Sequence, residues 1–183
     1  AGLLTGALRD RFGHRFHFDF YDNDELKTIL DRSAARLRFP TKDGTLELIA
    51  SRSRGTPRVA NRLLKRVRDY AQVRGNGTLT DALAREAMEI QQVDELGLDE
   101  LDRSFLTALI KVYEGGPAGI EAIAATMGQE RDTLEDVVEP YLLQIGFVIR
   151  TRQGRQATKP AYAHLGIPYR KSDDAKVDQP SLF

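Results

Sequence analysis

The stretch "RGTPRVANRLLKRVRDYA", residues 54–71, constrains the fold of this chain more than any other. Val59, Ala60, Leu63, Leu64, Val67 and Ala71 recur at helical spacing, so one side of an amphipathic helix must be buried against other elements. Thr56-Pro57 marks the start, with Thr as N-cap and Pro at the first helical position. The opposite side is basic: from Arg52 to Arg74 there are eight Lys or Arg and one acid, Asp69. Arg58 falls in the first turn, where the helix dipole favours negative charge. A helix start with unpaired N–H groups is already an anion site, and Arg62 and Lys65 continue the basic face at i+4 and i+7. Phosphate is the natural ligand of such a site. The competing reading is a solvated surface arginine.

The flanking sequence builds a unit around that helix. Residues 14–21, "HRFHFDFY", alternate as in a half-buried strand. In "DNDELKTILDRSAARL", Asp22 with Glu25 predicts a capping box, and Leu26, Ile29, Leu30, Ala34 and Leu37 form the apolar stripe. "DGTLELIASRS" predicts a short helix, and Thr80 caps "DALAREAMEIQQV". The result is an all-α, four-helix unit over residues 22–93, joined by an acidic linker at 94–98 to a second domain at 99–168. There, "DRSFLTALIKVY", "IEAIAATMG" and "RDTLEDVVEPYLLQIG" predict three helices, the last kinked near Pro140, before a strand–turn–strand in "FVIRTRQGRQATK". Three helices and then a β-hairpin is the order of a winged-helix domain. The polar tail, 169–183, is expected to be disordered.

Charge narrows the function. The formal net charge is zero, which argues against a uniformly basic nucleic-acid binder, but the charges are segregated. Residues 78–102 carry eight acids and one base, whereas 147–171 carry six bases and no acid. There is no cysteine, so disulfides, thiol catalysis and cysteine metal sites are excluded. His14, His17 and His164 lack metal-ligand spacing, and no metal site is expected in the chain. No apolar run approaches the roughly 18 residues of a membrane span, and the first residues lack a signal-peptide layout.

Within the second domain the third helix carries Glu130, Asp132, Glu135, Asp136 and Glu139 against Arg131, a face expected to repel phosphates. Arg150, Arg152, Arg155 and Lys159 surround the Gly154 turn of the hairpin. Nucleic-acid contact is therefore assigned to the wing, with Arg131 as a helper, mainly to the phosphate backbone and with little sequence specificity. Arg9, Asp10 and Arg11 sit in a turn closed by Gly13; Arg11 can either reach a phosphate on a neighbouring subunit or pair internally with Asp10.

Taken together, "AGLLT", "LRDRFG", a segment ending in "FY", "RGTPRVANRLLKRVRDYA", "GGPAG", "EPYLLQIGF" and "RTRQGRQAT" resemble, in that order and over residues 1–168, the RuvB family of hexameric AAA+ motors that drive branch migration of Holliday junctions. The resemblance implies a mainly α chain: an edge of the large ATPase subdomain at 1–21, the AAA+ lid, and a winged-helix head. It implies that Arg11 is a trans-acting arginine finger, that Tyr21 contacts the nucleotide, and that Arg58 is the sensor-2 arginine reporting the γ-phosphate. It also implies that Arg131, Arg150 and Arg155 contact DNA. ATP and Mg²⁺ are the implied cofactors, and the implied partners are Holliday-junction or duplex DNA, the RuvA protein and further copies in a homo-hexamer. A cytoplasmic, nucleoid-associated setting follows from the same resemblance. The phosphate loop G-x-x-x-x-G-K-[ST] does not occur in this sequence and is expected ahead of Ala1. The 183-residue chain alone is accordingly expected to bind ATP weakly or not at all, and ATP turnover by the purified chain would refute this. The alternative is a non-catalytic winged-helix DNA-binding or adaptor protein. The tail "QPSLF", 179–183, resembles peptides that dock on the sliding clamp; a plain polar terminus is the other reading.

Overall fold

The computed structural model describes residue 11 and residues 19–42, 44–75 and 77–169. Asp22 opens the first helix, α1 (Asn23–Arg36), through the expected capping box: its carboxylate accepts from the Glu25 N–H at 2.8 Å, and Glu25 accepts from the Asp22 N–H at 3.1 Å. Helices α2 (Thr45–Ser51), α3 (Pro57–Arg74) and α4 (Asp81–Ile90) complete the lid. Thr80 caps α4 by accepting from the Leu83 N–H at 3.3 Å. The lid core joins Leu26 and Leu30 of α1, Ile49 of α2, Leu63, Leu64 and Val67 of α3, and Met88 of α4. The stripe read from residues 54–71 is thus the buried side of α3, with Val59 partly buried at its edge.

The head begins at Asp99, which caps α5 (Glu100–Thr107). This helix runs on through a π turn, Ala108–Val112. After α6 (Ile120–Met127) comes a helix in three parts: α7 (Arg131–Thr133), a π turn (Leu134–Val138) and α8 (Glu139–Gln144). The expected irregularity near Pro140 is therefore a π turn that ends just before it. Pro140 has no N–H to give to a carbonyl four residues back, and the wider turn absorbs that missing bond.

Strands β1 (Val148–Thr151) and β2 (Gly154–Ala157) form the wing as an antiparallel pair with Arg150 opposite Arg155. Ala118, from the Gly115–Gly119 connection, bridges to Arg155, so β2 is flanked on both sides. A Cβ at Gly154 would lie 2.4 Å from the Ala118 carbonyl oxygen, so only glycine admits this approach. A further short helix, α9 (Lys159–His164), follows the wing and was not expected from the sequence. Phe105, Leu109, Ile123, Leu134, Leu142, Val148 and Ala161 meet in the head core. The strand expected at 14–21 and the tail at 169–183 fall largely or wholly outside the described residues.

Candidate functional site

Two surfaces gather the residues singled out by sequence. The first surrounds the start of α3. Thr56 occupies the N-cap position in extended conformation, but its hydroxyl donates to the Arg54 carbonyl at 3.1 Å instead of accepting from the helix. The first turn of α3 consequently has no side-chain cap, and it holds no acid. Arg58 is exposed there and makes no ion pair or side-chain hydrogen bond among the described residues; Arg62 and Lys65 are likewise exposed on the same face. The N–H of Tyr21 donates to the Gly55 carbonyl at 2.9 Å, which brings Tyr21 beside the turn that leads into Arg58. Tyr21 is 40% exposed, so it is available to a ligand. An open helix start, an unpaired guanidinium and an exposed aromatic ring at one turn fit a nucleotide phosphate and its base or sugar. Arg11 is exposed in a turn, and no described contact connects it to either surface.

The second surface is the wing and the helix under it. Glu139 of α8 has no exposed side-chain area, and both neighbouring wing arginines close on it. Its Oε1 accepts from Nε of Arg150 and from Nε of Arg155, each at 2.8 Å. Its Oε2 accepts from Nη2 of Arg150 at 2.7 Å and of Arg155 at 3.1 Å. Arg155 reaches on to Glu135 at 3.0 Å, and Glu135 in turn accepts from Arg131 at 3.1 Å. Arg131 also pairs with Glu121 at 3.1 Å. The three arginines are therefore brought together, but through shared carboxylates.

This changes two expectations. The acids of the third helix are not one exposed, phosphate-repelling face: Glu139 is buried and Glu135 is largely covered, leaving Glu130, Asp132 and Asp136 outward. Burial pushes the Glu139 carboxyl up, but hydrogen bonds from Arg150 and Arg155 and their charge outweigh it and hold the group below the usual carboxylate range. Nor are the wing arginines equivalent. The Arg155 side chain is 15% exposed and is a strut between wing and helix, whereas Arg150 is 56% exposed and keeps a face to solvent. Arg152, at the wing tip, is exposed with no polar partner among the described residues, which makes it the most available cation of the wing. The sequence signal for it was already present, a basic residue two positions before the turn glycine, Gly154.

Among the described residues no cluster of His, Asp or Glu could hold a metal ion, and no helix is long and apolar enough to cross a membrane.

Comparison with known proteins bears on both surfaces. The RuvB AAA lid domain model matches residues 21–94, and the RuvB C-terminal winged helix domain model matches 95–166. The RuvB subunits of the Holliday junction branch migration complex from Dehalococcoides mccartyi (strain CBDB1) and Kosmotoga olearia are each 55% identical over 167 residues, 91% of this chain and 48% and 49% of theirs. The Thermotoga maritima RuvB Holliday junction branch migration motor superposes with a TM-score of 0.88 at 47% identity, covering 92% of this chain and 57% of that one. The chain thus spans about half the length of the curated relatives it matches.

Proposed function

The chain belongs to the RuvB family, and on that premise we propose that it supplies the AAA+ lid and DNA-holding head of an ATP-driven motor for Holliday-junction branch migration. The observation that carries this reading is the unpaired Arg58 at the uncapped start of α3, one turn away from the Gly55 carbonyl that holds Tyr21. In the motor, Arg58 holds the terminal phosphate of ATP, and Tyr21 packs against the nucleotide where lid and large ATPase subdomain join. Arg11 reaches the phosphate of the neighbouring subunit's nucleotide and offsets the charge that builds up during transfer. ATP, with its Mg²⁺, would supply the phosphoryl bond to be cleaved, and Arg58 would carry the loss of the terminal phosphate into the lid. The motor works as a homo-hexamer with the RuvA protein, in the cytoplasm at the nucleoid.

The head grips duplex DNA through Arg152 and the open face of Arg150, against the phosphate backbone. Arg155 acts chiefly by holding the wing in place, and Arg131, whose side chain is 52% exposed at the start of the third helix, is a helper contact to the phosphate backbone. The deciding experiment is migration of a synthetic four-way junction by the protein with its ATPase subdomain, in the presence of RuvA and ATP. No ATP-dependent movement under those conditions would sink the proposal and leave the non-catalytic adaptor reading.

The wing assignment has its own test. Arg152→Ala is expected to weaken duplex binding by about 3- to 10-fold and to reduce the slope of log affinity against log salt by about 1, with little change in melting temperature. Salt titrations of binding to a labelled duplex check this, and an unchanged slope would remove Arg152 from the interface. Arg155→Ala is expected instead to lower the melting temperature, because it strands Glu139 with half its partners.

A further inference from the structure

The turn before α3 carries a second arginine whose surroundings differ from those of Arg58. Arg54 has a positive φ of 54°, an uncommon backbone conformation for a non-glycine residue, and its side chain is 11% exposed. It leaves the lid and enters the head. Nε donates to the Gly97 carbonyl at 2.7 Å, Nη1 donates to Asp102 at 3.2 Å, and Nη2 bonds to the other oxygen of Asp102 and lies 3.2 Å from Asp99. The guanidinium also stacks over the ring of Tyr141 in α8, 5.3 Å from its centre. Tyr141 donates its hydroxyl to the Leu96 carbonyl at 2.6 Å.

Each of these partners positions something in the head. Asp102 is buried and accepts from the Asp99 N–H at 2.8 Å, so the same carboxylate holds the start of α5. The chain approaches closely enough that a Cβ on Gly97, whose φ is 78°, would sit 2.5 Å from the Arg52 carbonyl oxygen. A second strap lies nearby: Asp94 bonds His164 of α9 at 2.8 Å. Burial pushes the Asp102 carboxyl up to about 7 against the pull of Arg54. Removing Arg54 would therefore leave a buried acid with no counter-charge.

We infer that Arg54 is a positioning residue that locks lid and head into one moving body, so that the lid rotation governed by Arg58 is delivered to the wing without slack. The turn is placed for this task. Gly55 is tied to Tyr21, Arg54 to the head, and Thr56-Pro57 starts the helix that carries Arg58. The side chain four residues before Arg58 thus gives a displacement at α3 a direct route to the head. The part of this inference that concerns force transmission rests on the motor reading above; the rigid joint itself does not.

The two parts are tested separately. The sequence has no cysteine, so Gln72→Cys on α3 and Gln129→Cys in the head give unique spin-label sites. The parent chain is expected to give one narrow distance distribution, and Arg54→Gln and Asp102→Asn are each expected to broaden it about twofold or more, with Arg54→Lys in between. Unchanged widths in these variants would overturn the joint. Should Arg54→Gln lose cooperative melting, Arg54→Lys and Asp102→Asn still decide the matter. In the protein with its ATPase subdomain, Arg54→Gln is expected to keep ATP hydrolysis within about twofold while junction movement per ATP falls about tenfold. A parallel loss of both, or movement per ATP equal to the parent, would overturn transmission through Arg54. If the unsubstituted protein moves no junction, the motor reading fails, while the label distances still answer for the joint.

Discussion

Glu139→Ala is expected to destabilise the head by about 3 kcal/mol, the lower end of the range for removing one partner of a buried ion pair. For a domain of this size that corresponds to a fall in melting temperature of about 12–24 °C. The reason lies in the partners. Glu139 accepts two bonds from Arg150 and two from Arg155, and all four are charge-assisted. Arg150 is 56% exposed and can return its charge to water, but Arg155 is 15% exposed and is left facing an empty space with only Glu135 to bond. The lower end of the range follows from that partial escape.

The same variant carries a pH signature. The folded-state pKa of Glu139 lies below its ordinary value of 4.5, so its contribution is present above that pH and is lost as pH falls through the folded value. The parent should therefore lose head stability on acidification below 4.5, and Glu139→Ala should lose less. Thermal melts on either side of that pH measure both effects. A variant as stable as the parent at neutral pH would show that the network adds nothing net.

What the sequence revealed was what is local. The Asp22–Glu25 box and the Thr80 cap need residues three apart, and both formed. The apolar stripe of α3 was legible because helical spacing alone selects its buried side. Thr56 fails for a physical reason: a hydroxyl has two local carbonyl and amide choices, and here it turned back to Arg54. Glu135 and Glu139 looked like a repelling face because sequence shows charge but not what folds over it; the wing that covers them returns from 11 to 20 residues away. Arg54 and Asp102 are 48 residues apart, and no periodicity or motif connects them. The six residues of α9 are too few for a period to emerge. The nucleotide roles proposed for Arg11 and Tyr21 came from the family resemblance, whereas a phosphate at Arg58 and backbone contacts at Arg131, Arg150 and Arg155 were also legible from charge and position; the geometry adds that Arg155, 15% exposed, is a strut.

On the motor reading proposed above, Arg58→Ala, in the protein with its ATPase subdomain, is expected to reduce ATP turnover by about 10²-fold, the usual cost of removing one preorganised donor aimed at charge that develops in a transition state. Arg58 sits in the first turn of α3, where neither an acid nor a side-chain cap competes for its charge or for the helix N–H groups. Its guanidinium is unpaired among the described residues, so nothing inside the lid is lost with it, and the lid should melt within about 0.5 kcal/mol of the parent. Arg62 supplies the control. It is equally exposed on the same face, but it lies one turn further along, beyond the helix start where the dipole is concentrated. Arg62→Ala is therefore expected to change turnover by no more than about twofold. Arg58→Lys should fall between the two, because an ammonium keeps the charge but cannot offer a planar pair of N–H groups to a phosphate. Steady-state ATPase rates across the three variants give the ranking. Equal, small effects at positions 58 and 62 would mean that the basic face of α3 acts as a diffuse field and that Arg58 is an ordinary member of it.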